Sequence, residues 1–234
     1  MKLIVANWKM NGSLKLLQEC LDKWPSDSLT NQVVMCLPFV FLRSASAFLK
    51  HPFFALGGQD CHPKLSGPFT GDISAYHLQE VGCRYVIVGH SERRYHHQES
   101  DELIRAKAQA ALNADLVPII CIGETLDQRE QGITLDILSE QISASLPVQP
   151  ASLCVAYEPV WAIGTGKTPA LEDIANIHAF LRQSLGDTIP LLYGGSVTVD
   201  NHASILDLQN VDGLLVGGAS LKINDFSTII HYAN

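Results

Sequence analysis

Eight short β-type runs recur along the chain, at Lys2–Asn7, Gln32–Leu37, Phe53–Gln59, Arg84–Gly89, Leu116–Ile122, Ser152–Tyr157, Ile189–Gly194 and Val211–Gly217. Most are apolar on both faces, as strands buried between helices in a parallel sheet must be. Helical patterns separate them: Leu14, Leu17 and Leu21 ahead of Trp24, and Leu103, Ala106, Ala110 and Ala114 after the start Ser100-Asp-Glu. Thr168-Pro169 is expected to open a further helix with an N-cap and an N1 proline, running through Ile174, Ile177, Leu181 and Leu185 to Gly186. Eight strand–helix units in 234 residues, with no linker or low-complexity tract, predict a single α/β domain over residues 1–234, closed as a (β/α)₈ barrel of parallel strands with outer helices. A doubly wound open sheet is the alternative. It would leave two edges to protect and gives no reason for polar residues after nearly every strand.

Those polar residues carry the functional information. The strand ends read Asn7-Trp-Lys9-Met-Asn-Gly12, Gln59-Asp-Cys, Gly89-His-Ser-Glu-Arg-Arg94, Cys121-Ile-Gly-Glu-Thr125, Glu158, Tyr193-Gly-Gly-Ser196 and Gly217-Gly-Ala-Ser220. In a closed barrel these ends face one rim, so residues distant in sequence converge. The rim gathers a lysine, a histidine, a glutamate and two glycine pairs.

The net charge of −8 and pI near 5.5 argue against a nucleic acid or an anionic membrane as partner, since both need a cationic face. An anionic substrate would need locally placed positive potential. Gly194-Gly195-Ser196 and Gly217-Gly218-Ala219 can supply it, because glycine lets backbone N–H groups approach a phosphate closely. Either pair alone would read as a tight turn. Both together, at the ends of strands seven and eight, favour a phosphate site. The six cysteines are scattered, with no C-x-x-C pair, and read as reduced thiols of a cytoplasmic protein. Near the N-terminus only Leu3 to Ala6 are continuously apolar, too few for a signal-peptide core or a membrane span.

Glu158 ends a strand and is followed by stiff Pro159-Val160-Trp161 and flexible Gly164-Thr-Gly166, the pattern of a general base carried with a moving lid. A glutamate of reference pKa about 4.3 becomes a stronger base when a closed lid desolvates it. His90, between strand and helix, can lie against first-turn N–H groups, which disfavours the imidazolium and leaves a neutral ring able to donate. Asn7 and Lys9 share one side of an extended segment and should point inward together, with Glu92 as counter-charge to Lys9. His77, His96, His97 and His178 read as packed or surface residues. Ile163-Gly-Thr-Gly-Lys-Thr168 imitates the end of a nucleotide-binding P-loop, but Trp161 occupies the position of its first glycine.

The segments Asn7–Gly12, Gly89–Arg94, Cys121–Glu124, Ala156–Lys167, Tyr193–Val197 and Val216–Leu221 together resemble the triosephosphate isomerase family over nearly the full length. The resemblance implies a TIM barrel that interconverts dihydroxyacetone phosphate and D-glyceraldehyde 3-phosphate in glycolysis and gluconeogenesis, without cofactor or metal. It implies Glu158 as the base that shuttles the proton between adjacent carbons, His90 and Lys9 as stabilisers of the enediolate, and Asn7 as an orienting residue. Gly164, Ser196, Gly217 and Gly218 would hold the phosphate, Ser91, Glu92 and Cys121 would support the reacting groups, and Pro159, Val160 and Trp161 would form the lid hinge. It further implies a homodimer in which Thr70, within Gly67-Pro-Phe-Thr-Gly-Asp72, reaches the partner near its Asn7 and Lys9. Pro68, Asp72 and Leu37 depart from the alanine, glutamate and proline expected of the family. Another phosphate-binding barrel isomerase or lyase, and a non-catalytic interaction protein, are the competing readings.

Overall fold

A computed structural model describes residues 2–23, 30–48, 53–148, 152–163 and 168–233. Its strands are β1 (Leu3–Asn7), β2 (Gln32–Cys36), β3 (Phe54–Gly58), β4 (Cys83–Val88), β5 (Val117–Ile122), β6 (Cys154–Tyr157), β7 (Leu191–Tyr193) and β8 (Gly213–Val216). Each pairs in parallel with its successor, and β8 pairs with β1, so the sheet closes on itself. The helices are α1 (Leu14–Lys23), α2 (Phe39–Phe48), α3 (Ala75–Glu80), α4 (Ser91–His96) and α5 (Asp101–Asn113), followed by α6 (Leu126–Glu130), α7 (Thr134–Ser145), α8 (Leu171–Leu185), α9 (His202–Leu206) and α10 (Ile223–Tyr232). Every expected strand overlaps an observed one, with ends that agree within two residues.

The doubly apolar runs arise because alternate residues serve two cores. Leu3, Val5, Val34, Cys36, Ile87, Ile119, Cys121, Cys154, Ala156, Leu192 and Leu215 fill the barrel interior. Their sequence neighbours, such as Ile4, Ala6, Val33, Met35, Ile120 and Val155, face the helices together with Leu17, Ile104, Ile174, Leu181 and Phe226. Two of the inward series extend beyond the apolar core. Leu3–Val5 continues to Asn7, and Cys154–Ala156 continues to Glu158, so the period of two carries polar side chains to the barrel's mouth.

Two helices differ from expectation. The face that α5 buries is Ile104, Lys107, Ala108 and Ala111, whereas Ala106 is exposed, a shift of about one residue from the apolar stripe read in the sequence. The cause is Lys107, whose ammonium is within 2.9 Å of both Asp60 oxygens and 2.6 Å from Glu99 Oε1. Arg93 joins the same cluster through Asp60 and Glu99. A lysine can face a core when its charge is paired there, and apolarity alone does not reveal it. α8 begins at Leu171, with Ala170 as a residue flanking it that makes no side-chain cap bond, so Thr168-Pro169 lies ahead of the helix. Glu172 and Asp173 place negative charge in its first turn instead.

Lys107→Met should therefore leave Asp60 and Glu99 short of a partner in a site only 4% exposed and destabilise the fold by about 3–5 kcal/mol. A urea titration checks this, and an unchanged midpoint would refute the account of the buried cluster.

Candidate active site

The first strand ends in Asn7, which the inward alternation brings to the mouth. Lys9 does not continue the extended chain as expected: its φ is +51°, and its N–H donates to Asn7 Oδ1 at 3.0 Å. Gln59, at the end of β3, donates from Nε2 to the carbonyls of Lys9 (2.9 Å) and Cys36 (3.1 Å). A left-handed turn at a non-glycine residue costs on the order of 1–3 kcal/mol, and these bonds to Asn7 and Gln59 hold it. Lys9 Nζ then reaches Glu92 Oε1 at 2.6 Å. Burial pushes the Glu92 carboxyl up, but the Lys9 bond and the neighbouring His90 outweigh it and hold the group below the usual carboxylate range.

β4 leads into Gly89, whose φ of +69° turns the chain, and where a Cβ would lie 2.9 Å from the Ile104 side chain. His90 follows as the N-cap of α4, and its Nδ1 accepts the N–H of Glu92 at 3.2 Å. An accepting Nδ1 has no proton, so the ring is the neutral tautomer with its proton on Nε2. That Nε2 lies 3.2 Å from Glu158 Oε1. Glu158 is 1% exposed, and its Oε2 accepts the N–H of Ser91 at 3.0 Å. Among the described residues, the buried Oε1 has no aligned donor. Burial holds the Cys121 thiol well above its ordinary pKa, and the nearby Glu158 carboxylate adds to the effect.

Two requirements that the sequence does not disclose hold Glu158 in place. Its N–H donates to Ile122 O at 2.7 Å, which presses the chain so closely against Gly123 that a Cβ there would lie 1.7 Å from Glu158 O. The only sequence signal is a glycine after a strand, indistinguishable from a turn glycine. The second is Glu124, fully buried, which accepts from Tyr157 Oη at 3.1 Å and from Trp161 Nε1 at 2.9 Å. Arg129 stacks its guanidinium 4.7 Å from the Trp161 ring centroid and lies 3.9 Å from Glu124. Pro159 thus leads into a 3₁₀ turn, Val160–Ala162, tied to the end of β5 by Val160 N–H to Glu124 O at 3.1 Å. Gly164 lies outside the described residues.

Asn7, Lys9, His90, Glu158, Ser196, Gly217 and Gly218 line one cavity of about 480 Å³. Gly217 leaves room for Lys9, whose Cε would be 3.6 Å from a Cβ at that position. Asn11 and Lys222 also line the cavity, and the sequence patterns do not single them out. Ser91, Glu92 and Cys121 stand behind the cavity wall against Glu158 and Lys9. Thr70 lies on an exposed loop outside it.

A family model described as triosephosphate isomerase matches residues 2–233. This chain belongs to the triosephosphate isomerase family. Relatives named triosephosphate isomerase are 49% identical in Ruegeria sp. (strain TM1040), over 98% of this chain and 96% of theirs, and 50% identical in Chelativorans sp. (strain BNC1), over 97% and 94%. A crystal structure of triosephosphate isomerase from Bartonella henselae superposes with a TM-score of 0.91 at 43% identity, covering 99% of this chain and 98% of that one. The chain is a glycolytic isomerase with the TIM-barrel fold of that family.

Gly123→Ala tests the close approach of the two strand ends. Displacing the Glu158 peptide by a fraction of an ångström or more should lower kcat about 10²-fold in a coupled triose phosphate assay, and unchanged turnover would show that the contact is not needed.

Proposed function

We propose that Glu158 is the base of the interconversion of dihydroxyacetone phosphate and D-glyceraldehyde 3-phosphate, with His90 and Lys9 stabilising the enediolate between them. The observation that carries this reading is the pairing of Glu158 Oε1, without an aligned donor among the described residues, with the Nε2 of a neutral imidazole 3.2 Å away. Oε1 takes a proton from the carbon beside the substrate carbonyl. As negative charge develops on the carbonyl oxygen, the Nε2–H of His90 and the ammonium of Lys9 receive it, and Asn7 orients the oxygens. Glu158 then delivers the proton to the adjacent carbon. The reaction moves hydrogen within one molecule without net oxidation, so it calls for no electron carrier.

The phosphate is held by Ser196, Gly217 and Gly218 at the ends of β7 and β8, with Gly164 contributed by the lid. Backbone amides at glycines bind a dianion without a basic patch, which suits a chain of net charge −8. Pro159, Val160 and Trp161 are the hinge, and closing the lid excludes water from the enediolate.

The protein acts as a homodimer in the cytoplasm. Met10 is 96% exposed beside a second cavity of about 590 Å³ that Asn7, Lys9, Gln59 and Glu92 also line, and this cavity receives the Thr70 loop of a second copy. Among the described residues no helix is long and apolar enough to cross a membrane, and the cysteines are buried free thiols, in keeping with that location.

Glu158→Gln should lose at least ~10²-fold in kcat, since the amide cannot accept the proton. Equal rates would sink the assignment. Sedimentation velocity at low concentration should find a dimer, and Thr70→Arg should shift it toward monomer with loss of turnover. A fully active monomer would remove the role given to Thr70.

A further inference from the structure

Arg94 lies on α4 outside the substrate cavity, and its side chain folds back beneath the reacting groups. Nε donates to the carbonyl of Gly89 at 2.9 Å, and Nη2 donates to the carbonyl of Cys121 at 3.0 Å and to Ser145 Oγ at 3.3 Å. Nη1 meets Asp101 Oδ1 at 2.5 Å, and Ser145 Oγ donates to that same oxygen at 2.6 Å. One planar guanidinium therefore joins the peptide just before His90 to the strand residue Cys121, whose thiol lies near the Glu158 carboxylate. Asp101 and the fully buried Ser145 fix its orientation from α5 and α7.

We propose that Arg94 is a positioning residue for the isomerisation, setting the separation between the imidazole of His90 and the carboxylate of Glu158. The proposal rests on the roles given above to those two residues. The first turn of α4 holds both: Ser91 N–H bonds Glu158 and Glu92 N–H bonds His90. The helix is only six residues long, so its place relative to β5 is set by what clamps it from outside. Arg94 spans that gap, and only a rigid fork of several donors can reach both carbonyls and the carboxylate at once. A lysine supplies the charge but not the fork. Apart from Gly164, the proposed phosphate ligands stand at the ends of β7 and β8, away from β4 and β5 in the closed order, so a loosened clamp disturbs proton transfer and leaves phosphate binding largely alone.

The test is Arg94→Lys, assayed with both triose phosphates and with inorganic phosphate as inhibitor. The expected result is a kcat lower by ~10- to 100-fold, with KM and the phosphate inhibition constant within about twofold of wild type. An inhibitor that mimics the enediolate should lose affinity in step with kcat. A folded Arg94→Lys protein with kcat within about twofold of wild type overturns the proposal, and so does a loss of phosphate binding that parallels the loss of kcat. Should that variant not fold, Ser145→Ala decides, since it removes only the hydroxyl that orients Asp101 and Nη2. A several-fold fall in kcat with phosphate inhibition unchanged supports the proposal, and wild-type kcat overturns it. Glu158→Gln in the same assay separates the two readings: an inactive Glu158→Gln beside a fully active Arg94→Lys condemns the clamp alone, and a fully active Glu158→Gln condemns the site itself.

Discussion

Two backbone N–H groups in the first turn of α4 govern the geometry of the mouth. A helix leaves its first amides without intrahelical partners, and here they are given to Glu158 Oε2 and His90 Nδ1. Each bond selects a chemical form as well as a position. An amide donor suits a carboxylate that accepts, and it suits an imidazole whose proton has been sent to Nε2. Both side chains then take their relative orientation from one stretch of backbone. Because α4 is short, its placement is supplied by charge contacts at its far side, with Arg93 tied to Asp60 and Glu99 and Arg94 tied to Asp101. The buried cluster around Lys107 is costly in isolation. It makes sense as the support that joins α4, α5 and the loop after β3.

The opposite wall of the mouth depends on steric contact. Glu158 reaches its place because the glycine after β5 lets the chain leaving β6 pass at bonding distance, and because Glu124 gathers Tyr157, Trp161 and Arg129 around the turn that follows. Burial also raises the Tyr157 phenol far above its ordinary pKa, with Glu124 adding to the effect, so the hydroxyl remains a donor to that carboxylate. The turn Val160–Ala162 is therefore anchored by a buried polar network around Glu124.

The architecture is legible in the sequence because most strands are buried on both faces, which turns them into largely apolar runs ended by polar residues. Asn7 and Glu158 can be placed at the mouth because the period of two has no freedom once the inward set is known. Lys9 also lines the mouth, but by a left-handed turn and not the extended chain the sequence suggests, because that turn depends on Gln59, a residue distant in sequence that local patterning marks only as a strand end. The stripe of α5 departs from its apolar pattern for a similar reason: Lys107 is core-facing only because Asp60 and Glu99 meet it. Thr168-Pro169 has the composition of a helix start, yet Ala170 is still extended and the helix waits for Leu171. Gly123 and Glu124 stand within one of the polar strand ends, but their need is a contact between two strand ends, and local patterns do not encode such contacts.

Lys9 shows how an acidic chain can present one useful cation. Its backbone is held on both sides, by Asn7 to its own N–H and by Gln59 to its carbonyl, so the root of the side chain is fixed. Among the described residues its tip is held by Glu92, whose side chain is 46% exposed. An ion pair open to water contributes little net free energy, so the ammonium can leave Glu92 for a substrate oxygen without a large loss. The same pair keeps the charge in the mouth while no substrate is bound. Gly217 keeps space free on the other flank, where a side chain would touch the lysine stem. In the proposed mechanism the cation is thus rigid where position matters and loosely held where it must exchange partners. Rigid at its base and free at its end, Lys9 can follow the shift of charge from carbonyl to enediolate without moving the strand that carries it.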